Sequence, residues 1–326
     1  MSERPLVVVL GTGADDPPPG IEAAEPHVEL RYAPDGDALP RALRGADALY
    51  FWRAEGAWLR DAWEHAAGLR WIQSASDGVD ALMFPALIAS GVEVTNARGV
   101  FEDAIAEWVI GAMLAFAARI IDQRDRQLRG VWDGTTRERL AGSRLLVVGP
   151  GPIGRATAQR ALALGVEVEG AGRSAREDDL FGPIVATGDA ESFRVALGRA
   201  DHVLDALPLT PATRALFDAR AFAAMRPSAR FYNVGRGDTV DEPALVDALE
   251  RGAIAGAGLD VFVEEPLPAG SRLWAMPQVL LSPHMCGDVE GWEAEVVDIF
   301  VENAARFARG GPLRNRVDTA AGFGIG

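Results

Sequence analysis

The chain has 326 residues, enough for about two domains, and 48% of them are hydrophobic, which supplies a core to each. A formal net charge of −15 argues against a nucleic-acid partner, and all 32 basic residues are arginine, which excludes lysine Schiff-base chemistry and a Walker-type phosphate lysine. The single cysteine, Cys286, has no internal disulfide partner, and the four histidines are too dispersed for a zinc site, so no metal is expected.

Taken in order, apolar runs at residues 6–10, 48–52, 71–74 and 92–95 read as strands. Amphipathic or Ala-rich segments at 39–43, 57–66 and 81–89 lie between them, which is the pattern of a small α/β domain with a mostly parallel sheet. Pro17, Pro18, Pro19 and Gly20 mark a loop. Residues 101–127 then give the longest helical pattern, with Ile105, Trp108, Val109, Ala112, Met113, Phe116 and Ile120 at spacings of three and four. Its all-round apolar character fits a helix buried between two domains or against a second subunit. A core helix of one large domain fits the periodicity nearly as well.

A polar stretch at 128–143 leads to Leu-Leu-Val-Val-Gly-Pro-Gly-Pro-Ile-Gly at 145–154. Three spaced glycines alone also serve an ordinary strand-to-helix turn. Here Gly149, Gly151 and Gly154 follow four apolar residues, a helical pattern continues to Gly165, and a second strand follows at 166–171, the order that a dinucleotide pyrophosphate site requires. The alternation continues through 203–207, 217–225, 231–234, 242–251, 256–261 and 279–282. A last helical pattern at 289–309 carries Trp292, Val296, Val297, Phe300, Val301 and Ala304 on one side and is expected to return to the first domain. The expected division is residues 1–98 with 287–326, and 99–286. No run approaches the roughly 20 apolar residues of a membrane span. Residues 1–5 lack the features of a signal peptide, so a cytoplasmic protein with no membrane partner is expected.

Three residues carry chemistry. His284 stands just past an apolar strand, where open α/β sheets place their ligands, and Glu265 lies nineteen residues upstream. A carboxylate on one imidazole nitrogen fixes the tautomer and raises the pKa, so that the other nitrogen can deliver a proton near neutral pH. Arg236, flanked by Gly235 and Gly237 after another apolar strand, is either a solvated loop arginine or a two-pronged carboxylate binder.

The order of motifs from about Trp71 to Gly287 resembles the D-isomer-specific 2-hydroxyacid dehydrogenases. It includes Asp-Gly-Val-Asp at 77–80, Thr-Asn-Ala-Arg-Gly-Val at 95–100, the glycine turn, Leu-Pro-Leu-Thr-Pro-Ala-Thr at 207–213, Asn-Val-Gly-Arg-Gly at 233–237, Gly-Leu-Asp-Val-Phe at 258–262, Glu-Glu-Pro-Leu-Pro at 264–268 and Ser-Pro-His at 282–284. The short Glu-to-His spacing, with Leu273 and Trp274, looks most like the glyoxylate/hydroxypyruvate reductase branch.

The resemblance implies an α/β fold of two Rossmann-like domains, a flavodoxin-like substrate domain and a doubly wound nucleotide-binding domain, with a cleft between them. It implies hydride transfer to a 2-oxo acid, giving the D-2-hydroxy acid, in a homodimer. His284 would protonate the carbonyl oxygen, Glu265 would hold His284, and Arg236 would bind the substrate carboxylate. Backbone N–H groups of Asp77 and Gly78 match the family's carboxylate-binding loop. Trp52 matches either a pocket-lining position or ordinary core. Gly149, Gly151, Pro152, Ile153, Gly154, Leu207, Pro208, Thr213 and Val234 match cofactor-contact positions, and Asp260 matches the residue that orients the nicotinamide carboxamide.

Relatives that prefer NAD carry an acid at the end of the second Rossmann strand. Here that position counts to Gly172, followed by Arg173, Ser174 and Arg176, two cations and a hydroxyl suited to a 2′-phosphate. NADPH is therefore expected over NADH; the competing reading makes Glu169 the ribose-binding acid. Asp77, Met285, Cys286 and Asp288 depart from the family's usual residues and bear on the substrate more than the reaction. A nucleotide-sensing protein of corepressor type is the rival expectation. Formate dehydrogenase is disfavoured because relatives of that type pair the histidine with glutamine.

Overall fold

In the computed structural model, which describes residues 4–134, 136–319 and 323–324, the chain forms two units, 1–101 with 289–326, and 102–288. The first is built on β1 (Leu6–Leu10), β2 (Glu29–Ala33), β3 (Ala48–Phe51), β4 (Trp71–Ser74) and β5 (Glu93–Thr95). All pairings are parallel, in the order β2-β1-β3-β4-β5. Parallel strands covered on both faces need apolar side chains in both directions, hence the continuous runs of β1 and β3. Val8, Leu10, Leu49 and Ile72 pack on Leu39, Leu59 and Leu87 on one face. On the other, Val7, Val9, Tyr50 and Trp71 meet Val296, Val297, Phe300 and Ala304 of the helix Trp292–Ala308. The Tyr50 and Phe300 rings stack at 4.2 Å.

The second unit carries β6 (Arg144–Val148), β7 (Glu167–Gly172), β8 (Arg176–Asp178), β9 (Gly182–Ala186), β10 (His202–Asp205), β11 (Arg230–Asn233), β12 (Gly256–Leu259) and β13 (Val279–Leu281). Their order is β13-β12-β11-β10-β6-β7-β9-β8, parallel except for β8 against β9. The strand order reverses at β6, which has β7 on one side and β10 on the other. In open α/β sheets such a reversal opens a crevice outside the carboxyl ends of the strands.

Where one helix is expected over 101–127, the structure has two, Glu102–Ala117 and Ile120–Leu128, bent by 63°. The break falls at Arg119, whose φ of 56° is left-handed. The first buries Ala106, Val109 and Met113 and packs on the helix Pro152–Ala163 of its own unit. The second leaves Ile120 and Leu128 exposed. Among the described residues no single helix is long and apolar enough to cross a membrane.

Candidate active site

The glycine turn is shaped by its backbone. β6 is buried through Val148, and Gly149 then takes a φ of 102°, its N–H donating to Ala171 O at 2.9 Å. A Cβ on Gly149 would stand 2.5 Å from Ala206 O, and one on Gly154 would stand 2.3 Å from Gly149 O. Neither position admits a side chain. A Cβ on Gly151 would meet nothing within 4 Å, so the turn is open on that side. Pro152 and Ile153 begin the helix Pro152–Ala163, whose free N–H groups and positive end face the opening. The turn fits the pyrophosphate of a dinucleotide.

Gly172 is the last residue of β7, and a Cβ there would lie 3.2 Å from Pro150 Cδ. Arg173 and Ser174 are exposed in the turn that follows. Arg176 lies on β8, opposite Ile184, rather than in a loop; its Nη1 folds back to 3.7 Å from where the Gly172 Cβ would be. Glu169 sits three residues before the strand end and is engaged by Arg199 at 2.8 Å and Arg144 at 3.4 Å.

At the far side of the sheet, His284 has a φ of 53° and its N–H donates to Asp260 O at 2.8 Å. The buried Asp260 carboxylate also accepts the N–H groups of Met285 and Cys286, at 3.0 and 3.1 Å. One acid after β12 therefore pins the loop after β13. Burial pushes the Cys286 thiol pKa up.

His284 Nδ1 and Glu265 Oε2 are 2.7 Å apart, and Glu265 Oε1 accepts the Phe262 N–H at 2.9 Å. The hydrogen bond to Glu265 raises the His284 pKa against the effect of burial. Burial pushes Glu265 upward, but the bonds from His284 and Phe262 and the charges of His284 and Arg236 outweigh it and hold the carboxylate below its ordinary range. With Nδ1 engaged, Nε2 is the nitrogen available to a substrate.

Arg236 follows β11. Asn233 shapes its loop, accepting the Gly235 N–H at 3.0 Å and donating from Nδ2 to Arg236 O at 3.0 Å. The guanidinium is half-buried, with Nη1 donating to Gly235 O at 2.7 Å. A Cβ on Gly237 would lie 1.9 Å from Phe262 C, so the arginine loop rests directly on the loop that holds Glu265.

Leu207 and Val234 are buried beside each other's loops, their N–H groups donating to the side chain and carbonyl of Asp205, while Thr213 Oγ1 donates to Pro208 O at 2.7 Å and closes the loop after β10. In the other unit, Asn96 Nδ2 donates to Asp77 O and Oδ1 at 2.7 and 3.0 Å, turning that carboxylate toward Asn96, and Ser76 Oγ donates to Gly78 O. Trp52 is 7% exposed, with its ring 5.6 Å from Tyr50 and 6.2 Å from Trp292, a core environment. Sequence reasoning gave no role to three buried residues around the site: Asn233, Asp205 and Thr239. Asp205 had a signal, since it breaks the apolar run of β10. Among the described residues no group of three His, Cys, Asp or Glu side chains is placed to hold a metal.

A strand-order reversal, a glycine turn at a helix N-terminus and a paired Glu and His at neighbouring strand ends define a nucleotide-dependent oxidoreductase. Residues 110–286 match the D-isomer specific 2-hydroxyacid dehydrogenase, NAD binding domain. The chain is 35% identical over 234 residues to glyoxylate/hydroxypyruvate reductase B of Pectobacterium carotovorum, covering 69% of this chain and 72% of that protein. Among solved structures, the D-isomer specific 2-hydroxyacid dehydrogenase of Xanthobacter autotrophicus, in complex with NADPH and MES, superposes with a TM-score of 0.82 at 30% identity, covering 99% of this chain and 100% of that one. The NADPH-dependent glyoxylate/hydroxypyruvate reductase of Sinorhizobium meliloti, in complex with NADP and sulfate, gives 0.83 at 28%, covering 98% and 100%. The chain belongs to the D-isomer specific 2-hydroxyacid dehydrogenase family and is an NAD(P)-dependent enzyme.

Proposed function

We propose that this enzyme uses NADPH to reduce a small 2-oxo acid of the glyoxylate or hydroxypyruvate kind to the D-2-hydroxy acid, with His284 as general acid. The 2.7 Å contact between His284 Nδ1 and Glu265 carries the reading, because it fixes the tautomer and leaves a protonated Nε2 for a carbonyl oxygen. A bound nicotinamide supplies the hydride. Arg236 binds the substrate carboxylate and, by its charge, favours electron density on the adjacent carbonyl oxygen. Proton transfer from Nε2 to that oxygen leaves neutral imidazole on His284, still held by Glu265.

The glycine turn from Gly149 to Gly154 would receive the pyrophosphate. The backbone at Leu207, Pro208, Thr213 and Val234 would line the dinucleotide, and Asp260 would accept from the carboxamide. Arg173, Ser174 and Arg176 would hold a 2′-phosphate; the similarity to two structures that contain NADP(H) supports this, as does the glycine at the end of β7. Asp77 and Gly78 would add backbone N–H groups to the substrate carboxylate, and Trp52 would back the loops near it. The order of the first sheet, 2-1-3-4-5, supports a flavodoxin-like substrate domain, and the reversal at β6 a doubly wound nucleotide domain. A cytoplasmic homodimer completes the proposal.

The test is a panel of 2-oxo acids with each cofactor, followed by absorbance and by chiral analysis of the product. Oxidation of NADPH by glyoxylate or hydroxypyruvate, with D-glycerate formed from the latter, is expected. Absence of oxidation with every acid and either cofactor would overturn the proposal, and a preference for NADH would overturn its cofactor half.

A further inference from the structure

Asp205 ends β10 with no exposed surface, flanked by Val148 of β6 and Asn233 of β11. Its Oδ1 accepts the Leu207 N–H at 3.1 Å. Its Oδ2 lies 2.5 Å from Thr239 Oγ1, and that hydroxyl lies 2.6 Å from Arg236 O. Two oxygen–oxygen contacts this short need a proton each, since bare lone pairs would repel. Threonine has one hydroxyl proton and a peptide carbonyl has none. The proton between Thr239 and Arg236 O can come only from Thr239, so the proton between Asp205 and Thr239 belongs to Asp205.

We propose that Asp205 is held as a neutral carboxylic acid in the folded enzyme at pH 6 and, through the chain Asp205 to Thr239 to Arg236 O, positions Arg236 for the substrate carboxylate. It is a positioning residue that touches no substrate itself. The inference rests on reading Arg236 as the carboxylate binder, and it adds a titrating group that the reaction does not use.

The surroundings agree. Burial raises the Asp205 pKa to about 7, with the N–H of Leu207 lowering it only in part. β6 and β11 present Val148, Gly149 and Asn233 to it, and Gly235 lies 3.4 Å from Oδ1 by its would-be Cβ. The charged residues on the packed loop and its 3-10 turn are Arg236 and Asp238, and Asp238 is paired with Arg214.

Asparagine separates the alternatives, because its amide can donate to Thr239 while its carbonyl accepts from Leu207, as the neutral acid does. In the intact enzyme the KM for the 2-oxo acid is expected to rise about tenfold between pH 6 and 9, the order of one lost hydrogen bond. In Asp205→Asn, KM at pH 6 stays near the wild-type value and the rise disappears, whereas Thr239→Val raises KM at every pH and Thr239→Ser restores it. Changes in kcat that follow His284 persist in all of them.

A second arm needs no activity. The folded pKa lies above the ordinary carboxylate value, so between about pH 4 and 7 the folded state keeps a proton that the unfolded state has released. Stability is therefore lost as pH rises through that window and is level above it. The Tm of Asp205→Asn should exceed that of the wild type by a margin that grows to pH 7 and then holds. If Asp205→Asn instead raises KM at pH 6 and lowers Tm equally at all pH values, the carboxylate is ionised and the proposal falls. If the wild type reduces no 2-oxo acid, the functional reading fails, while the Tm arm still decides the protonation of Asp205.

Discussion

The two ends of the nucleotide-binding sheet solve different problems with different materials. At the β13 end, Arg236, Glu265 and His284 stand on loops tied by short bonds to buried groups: Asp260 to three successive residues, Phe262 to Glu265, Asn233 and Thr239 to Arg236 O. At the β7 end, Arg173, Ser174 and Arg176 are exposed on a turn and an edge strand. The first arrangement fixes angles before a substrate arrives. The second offers charge at an exposed surface, which suits recognition of a phosphate more than control of a reaction.

Substitutions should break the two ends unequally. Removing a charged, oriented hydrogen-bonding group at the rigid end has the larger effect. Arg236→Ala is expected to lower kcat/KM for the 2-oxo acid by about a hundredfold, the loss of a charge-assisted bond, measured with saturating NADPH; an unchanged value would remove Arg236 from the site.

Glu265→Gln should act through pH. The hydrogen bond to Glu265 raises the His284 pKa, so the reduction, which needs the protonated imidazole, falls as pH rises through that raised value. Without the carboxylate the fall moves to lower pH in a kcat/KM profile. A profile that stays in place would show that another group supplies the proton.

The smallest effect belongs to the exposed end. Arg173→Ala with Arg176→Ala is expected to raise the KM for NADPH on the order of tenfold, less at high salt because exposed charges are screened. KM for NADH should not change, and an equal rise for both cofactors would count against a 2′-phosphate site.

The same contrast governs how far the sequence could be read. The glycine turn was legible because its geometry excludes every other residue at Gly149 and Gly154. The Glu265 and His284 pair was legible because both follow apolar runs that become β12 and β13. Edge strands were not. β2 reads Glu-Leu-Arg-Tyr-Ala and β8 reads Arg-Glu-Asp, half-solvated strands whose charges resemble loop and blunt the sheet edges. Arg176 stands on one of these edge strands. The break at Arg119 left no trace either, since apolar spacing runs on through Ile120 and a single left-handed arginine has no signature. Asp205 was visible as a residue, but its protonation depends on Thr239, thirty-four residues away, which only the folded chain brings within reach.

The central claim is that proton delivery resides on His284 while cofactor binding resides elsewhere. It is tested most directly by measuring kcat for the 2-oxo acid and the Kd for NADPH on the same preparation of His284→Ala. A fall in kcat of about 10²–10⁴-fold, the range of general-acid catalysis, with Kd within a factor of about two to three is predicted. Near-normal turnover, or loss of NADPH binding equal to the loss of rate, would contradict it.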